Sequence, residues 1–262
     1  MAFFFSALFC LSSAIHTGCR VHFIGVRVTL VIVGYSNGDL REGFKAAGAQ
    51  FVPVSGTTID LTEITVTGYD KEEGTEEDVS VQTLNKNGGR VKQYYWYDVV
   101  DGTDVYYGWL DGSTGDFVAP GEVKFDVGDG LWVYAPNSDF GLQTAGQVMA
   151  ASATVTLREG FKMVANPTPI AVDLTDITVT GYDEEEGTEE DVSVQTLNKN
   201  GGRVDQYYWY DVVDGTDVYY GWLDGATSDF IEVGDVEVGA GAALWVYAPS
   251  TDYKLVLPGV TL

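Results

Sequence analysis

The chain has 262 residues, 45% hydrophobic and 13% aromatic, enough apolar material for two ordinary domains and too much for a disordered chain. Its formal net charge is −25, from 39 Asp and Glu against 14 Lys and Arg. That balance excludes nucleic acid and anionic membrane surfaces, which need clustered basic residues, and it favours solubility, cations and salty surroundings.

Residues 2–14 (AFFFSALFCLSSA) form an apolar run that ends in small residues, like the core and cleavage site of a secretory signal. The basic start of such a signal is missing, and a buried first strand or an incorrectly chosen start codon are the competing readings. Export to the cell surface or the extracellular space is the expectation, with residues 1–27 set apart as an atypical N-terminal segment. Neither 2–14 nor 21–33, broken by Arg27, reaches the roughly 20 apolar residues of a membrane-spanning helix. Cys10 and Cys19 are the only cysteines, so everything beyond them lacks a disulfide framework and a Cys-based metal site.

No later segment keeps a 3.6-residue apolar period. Short runs of Val, Ile, Thr, Tyr and Trp recur between Gly, Asp and Asn clusters. They predict strands over 28–35, 50–54, 64–68, 79–84, 91–97, 105–110, 123–125, 131–135 and 141–148. The Asn85-Lys86-Asn87-Gly88-Gly89-Arg90 link between two of them is a hairpin signal.

The set then repeats. Residues 177–225 align without a gap on 64–112 and differ only at Lys71/Glu184 and Lys92/Asp205, so 47 of 49 positions match. The likeness extends more loosely from Leu40-Arg41-Glu42-Gly43-Phe44-Lys45 and Leu157-Arg158-Glu159-Gly160-Phe161-Lys162 to the two Leu-Trp-Val-Tyr-Ala-Pro runs at Leu131 and Leu244. A period of this length is a domain, not a solenoid unit. The expected architecture is all-β: two tandem, near-duplicate β-sandwich or β-barrel modules, 28–149 and 150–262, in close contact through a strand-like seam near Ala150.

Catalysis finds little footing. His16 and His22 are the only histidines and lie outside the repeats, so no Ser–His or Cys–His pair can be built within a module. Phosphate-binding glycine loops and the nucleophile-elbow motif are missing. The expectation is a protein that is not an enzyme and needs no cofactor. Ca²⁺ is the one candidate ion, because the acidic stretches 69–78 and 182–191 and the loop acids Asp98, Asp101, Asp104, Asp211, Asp214 and Asp217 offer hard oxygen ligands. Solvated loops and turn chemistry account for the same residues.

The densest feature is aromatic: Tyr94, Trp96 and Trp109 in the first copy, Tyr207, Trp209 and Trp222 in the second. Strand side chains alternate between faces, so Tyr94 and Trp96 share a face with Lys92. Lys92 becomes Asp205 in the second copy, a reversal that only a solvent-facing position accepts cheaply. On that argument Tyr94 and Trp96 face outward and the six aromatics are expected to form a ligand-binding face; a core strand with interface aromatics is the competing reading.

The runs Gly160-Phe161-Lys162-Met163-Val164-Ala165-Asn166-Pro167, Tyr207-Tyr208-Trp209-Tyr210 and Leu244-Trp245-Val246-Tyr247-Ala248-Pro249 resemble a tandem β module of secreted bacterial repeat proteins with no assigned activity. The resemblance covers nearly all of the chain after about residue 30. It implies export and an all-β module. The first copy departs from it: Lys45-Ala46-Ala47-Gly48-Ala49-Gln50-Phe51 replaces the Asn-Pro, with four extra residues before Ile64. The expected function is that of an exported surface or matrix protein whose twin modules mediate assembly or adhesion, with itself or an extracellular glycan or protein as partner. The alternative is a tandem carbohydrate-binding module.

Overall fold

The computed structural model describes residues 20–22, 31–40, 42–51, 58–68, 79–101, 104–181, 192–198, 200, 202–214 and 217–260. The side chains of 99–105 and 212–218 also fall outside the description, as do those of 20–22 and 31–39. The signal-like run at 2–14 and both acidic stretches, 69–78 and 182–191, lie outside the described residues.

The fold is all-β. The first half contains β1 (Arg20–His22), β2 (Val31–Asp39), β3 (Gly43–Ala47), β4 (Thr58–Asp60), β5 (Thr65–Thr67) and β6 (Ser80–Leu84). It continues with β7 (Arg90–Asp101), β8 (Asp104–Asp111), β9 (Lys124–Asp126), β10 (Leu131–Ala135) and β11 (Gly141–Gln147). The second half runs through β12 (Ala153–Thr156), β13 (Gly160–Ala165), β14 (Val172–Asp173), β15 (Thr178–Thr180) and β16 (Ser193–Leu197). It ends with β17 (Arg203–Asp214), β18 (Asp217–Asp224), β19 (Glu237–Val238), β20 (Ala243–Ala248) and β21 (Lys254–Leu257). The seam expected near Ala150 falls between β11 and β12.

Each half has a five-stranded antiparallel sheet, in the order β3-β10-β6-β7-β8 and β13-β20-β16-β17-β18. A smaller sheet lies over it, β1-β2-β11-β5 in the first half and β12-β21-β15 in the second. Among the described residues the larger sheet does not close on itself, and the two sheets share one core, which makes a sandwich rather than a barrel. Leu61, Ile64, Val79, Val81, Trp96, Trp109 and Val133 fill the first core. Leu174, Ile177, Val192, Val194, Trp209, Trp222 and Val246 fill the second.

The link between β6 and β7 is the hairpin expected from its sequence. Asn85 Oδ1 accepts from the amides of Asn87 and Gly89 at 2.9 Å, and Gly88 takes φ +76°, a conformation that disfavours any residue with a Cβ. The start of the strand expected at 50–54 is corrected. Gln50 and Phe51 lie in a bend, residues 52–54 lie outside the described residues, and a strand sits upstream at Gly43–Ala47. The Gly at its start and Lys45 at its centre hid it from a pattern search, and its pairing to β10 through Ala46↔Trp132 supplies what its propensity lacks.

β10 and β20 read as almost continuously apolar because one face enters the core and part of the other is covered as well. Val133 and Val246 enter their own cores, while Trp132 and Trp245 turn to the opposite side and meet each other edge to face at 5.7 Å. Around them, Gly48 donates to the carbonyl of Gly241 at 2.9 Å and Ala165 to that of Gly128 at 2.8 Å. Arg158 reaches the carbonyl of Leu84 at 2.7 Å, and Lys162 pairs with Asp129 at 2.8 Å.

Candidate functional site

The expected aromatic face is corrected. Tyr94, Trp96, Trp109, Tyr207, Trp209 and Trp222 are all buried, with Trp96 and Trp209 each 2% exposed. Trp96 packs edge to face on Trp109 at 5.3 Å, and Trp209 on Trp222 at 5.2 Å. Lys92, Tyr94 and Trp96 share a face, as strand alternation requires. That face is the inner one. β7 extends past the end of the core, so Lys92 is exposed although it points the same way as two core aromatics. Asp205 is exposed at the matching end of β17. The charge reversal marks the end of a buried row, not an exposed one.

Burial raises the Tyr94 hydroxyl above its usual range, an effect that neighbouring Lys92 opposes. Burial also raises Tyr207, and there Asp205 adds to it, followed by Asp224.

The exposed aromatics lie elsewhere, at positions that residue type alone did not separate from the core. β7 and β8 are 12 and 8 residues long and join at Asp101↔Asp104, forming a hairpin that outruns the sandwich. Trp109 is buried, yet Tyr107, two residues away on the same side, is 60% exposed. Its ring leans on Trp96 at 6.2 Å. Tyr106 points to the other side, where Tyr97 and exposed Phe117 meet at 6.3 Å over Gly108.

The second half repeats the arrangement. Tyr220 is 62% exposed and leans on Trp209 at 6.3 Å, while Tyr219 and Phe230 are exposed on the other side. Each hairpin is thus a blade with aromatic rings on both faces, able to stack on a flat ring or pack on another protein surface. The signal that sequence reasoning passed over was length: two long strands joined by two residues must leave the core behind.

Among the loop acids, Asp98 and Asp211 are buried in the same inner rows as Trp96 and Trp209. Asp101 pairs with Asp104, and Asp214 with Asp217, across the hairpin tips, and their side chains fall outside the description. Asp111 is a turn former, accepting from the Ser113 amide at 2.8 Å. The Ser113 hydroxyl bond holds its carboxyl below the usual value. No three His, Cys, Asp or Glu side chains gather to hold a metal among the described residues. A cleft of about 590 Å³ lies between the halves, lined by Lys45, Ser138, Thr196, Leu197, Glu237 and Leu244.

Compared with protein-family models, curated proteins and solved structures, the chain matches none. No helix among the described residues is long and apolar enough to cross a membrane.

Proposed function

We propose that the protein is an exported, non-enzymatic surface or matrix protein whose twin β halves mediate assembly or adhesion through their aromatic hairpin blades. The observation that carries this reading is the pairing of exposure with duplication: Tyr106, Tyr107 and Phe117 recur as Tyr219, Tyr220 and Phe230 with matching exposure. Two equal sites gain avidity that one site lacks, which gives a near-duplicate half a use. The histidine-free repeats and the resemblance to secreted repeat modules point the same way. A glycan is the second reading for the same blades, favoured by the outward rings of Tyr107 and Tyr220 leaning on a buried Trp.

The test is the pair of variants Tyr106→Ser/Tyr107→Ser and Tyr219→Ser/Tyr220→Ser, alone and combined. Sedimentation and binding to a glycan array are the readouts. Each pair should weaken association with little change in melting temperature, and the combination should weaken it further. Glycan binding that falls while sedimentation stays constant selects the carbohydrate reading. Association and glycan binding that survive the combined variant remove both.

A further inference from the structure

Two backbone hydrogen bonds and two bridges between the halves are reciprocal. By the alignment of the two Leu-Arg-Glu-Gly-Phe-Lys runs, Gly48 corresponds to Ala165, and by the 64–112 alignment carried forward, Gly128 corresponds to Gly241. Gly48 donates to Gly241, and Ala165 donates to Gly128. Likewise Ala47 bridges to Ala242, and its counterpart Val164 bridges to Asp129, the counterpart of Ala242. Trp132 meets its own counterpart Trp245. This is the pattern of an isologous contact, in which one patch meets an equivalent copy across a two-fold axis.

At three buried positions of the contact the equivalence breaks in the same direction. An ideal Cβ on Gly48 would stand 2.3 Å from the Cβ of Ala165, its own counterpart. A Cβ on Gly130 would stand 2.8 Å from that of Ala243, again its counterpart, and 2.9 Å from that of Met163. Ala46 and its counterpart Met163 lie in the same buried cluster with Trp132. At all three places the first half carries the smaller residue. Neither Gly48 nor Gly130 has a positive φ, so backbone conformation does not require glycine there.

We infer that this contact is a heterotypic docking surface, which accepts a half of the opposite kind and rejects its own. Two second halves would press Ala165 on Ala165 and Ala243 on Ala243, and two first halves would leave voids at the same points. Selectivity comes from the clash as much as from the fit. The occupant in the structure is the other half of the same chain. A second copy of the chain engages this surface only first half to second half.

The experiment uses the full chain and three variants. Gly48→Ala alone should lower the melting midpoint by roughly 5 °C or more. Adding Ala165→Gly should recover most of that loss, since it removes the opposing methyl. The triple change Ala46→Met/Gly48→Ala/Gly130→Ala gives the first half the second half's residues, and should abolish the near-ultraviolet circular dichroism of the Trp132–Trp245 pair. Adding Met163→Ala/Ala165→Gly/Ala243→Gly reverses the sizes across the contact and should restore that signal. A Gly48→Ala chain that melts like the parent overturns the inference. So does a size-reversed chain no better than the one-sided triple variant.

Discussion

Trp109 donates its indole N–H to the carbonyl oxygen of Ile64 at 2.7 Å, and Trp222 does the same to Ile177 at the same distance. Each bond fastens the larger sheet to the residue that follows a one-turn 3₁₀ helix, Leu61–Glu63 or Leu174–Asp176. Both partners are buried, so the donor cannot be replaced by bulk water. Trp109→Phe should cost about 1–3 kcal/mol for the lost hydrogen bond, and Trp109→Ala about 3–5 kcal/mol once a cavity is added. Urea denaturation of these variants, beside Trp222→Phe and Trp222→Ala, should give matching losses in the two halves. Unequal losses would show that the repeated sequence carries different energies in its two settings.

Asp60 caps the first of those turns. Its Oδ1 accepts from the Thr62 amide at 2.9 Å and the Thr62 hydroxyl at 2.7 Å, and its Oδ2 accepts from the Gly121 amide. Burial pushes its carboxyl up, but these bonds and nearby Lys124 outweigh it and leave the group below its ordinary 3.8. Asp173 is lowered in the same balance by Thr175 and Gly234, with Glu237 where the first half has Lys124. A depressed carboxyl stabilises the fold above its unfolded value and loses that effect as pH falls through its folded value. Asp60→Ala and Asp173→Ala should each cost about 1 kcal/mol at neutral pH. The cost should shrink below pH 3.8 in both. Added salt should reduce the Asp60 effect more than the Asp173 effect, because only Asp60 has the cation.

The strand order was invisible in the sequence, yet the strands were largely legible. The runs at Ser80–Leu84, Leu131–Ala135 and Gly141–Gln147 combine β-branched and aromatic residues with turn residues on either side, so period and punctuation agree. Gly43–Ala47 carries neither signal and becomes a strand because β10 needs an outer neighbour. The site was legible in residue type but not in direction. Alternation places Trp96 and Lys92 on one face, and nothing in the sequence says where along β7 the core stops. Lys92 lies past that end and Trp96 before it. The same ignorance of where the core ends hid Tyr107, which has the parity of Trp109 and none of its burial.

Lys92 and Asp205 supply a direct measurement of those row ends. Tyr94 and Tyr207 are both raised by burial, with Lys92 opposing the shift and Asp205 reinforcing it. A tyrosine raised on folding contributes stability below its unfolded value, near 10, and loses it as pH rises through the folded value. Lys92→Asp should therefore move the Tyr94 titration upward, and Asp205→Lys should move Tyr207 downward. Ultraviolet difference titration from pH 9 upward reads both. Titrations that ignore the two substitutions would place these charges too far from the hydroxyls to matter.

Charge sets the conditions under which the blades can meet. Up to Glu63 the basic and acidic residues cancel, so the net −25 belongs to the part of the chain that carries the blades. Like charge repels approaching copies, and the repulsion is screened over about 10 Å at 0.1 M salt. Association through Tyr107 and Tyr220 should accordingly be weak in low-salt neutral buffer, and stronger with NaCl or near pH 4, where carboxylates begin to protonate. Light scattering should record the increase in the parent chain and its loss in the Tyr107→Ser/Tyr220→Ser variant. CaCl₂ at matched ionic strength distinguishes screening from specific binding: an equal response assigns the effect to screening, and a larger one returns the acidic stretches 69–78 and 182–191 as Ca²⁺ ligands. Scattering that stays flat across salt and pH would count against self-assembly and leave an external partner as the use of the blades.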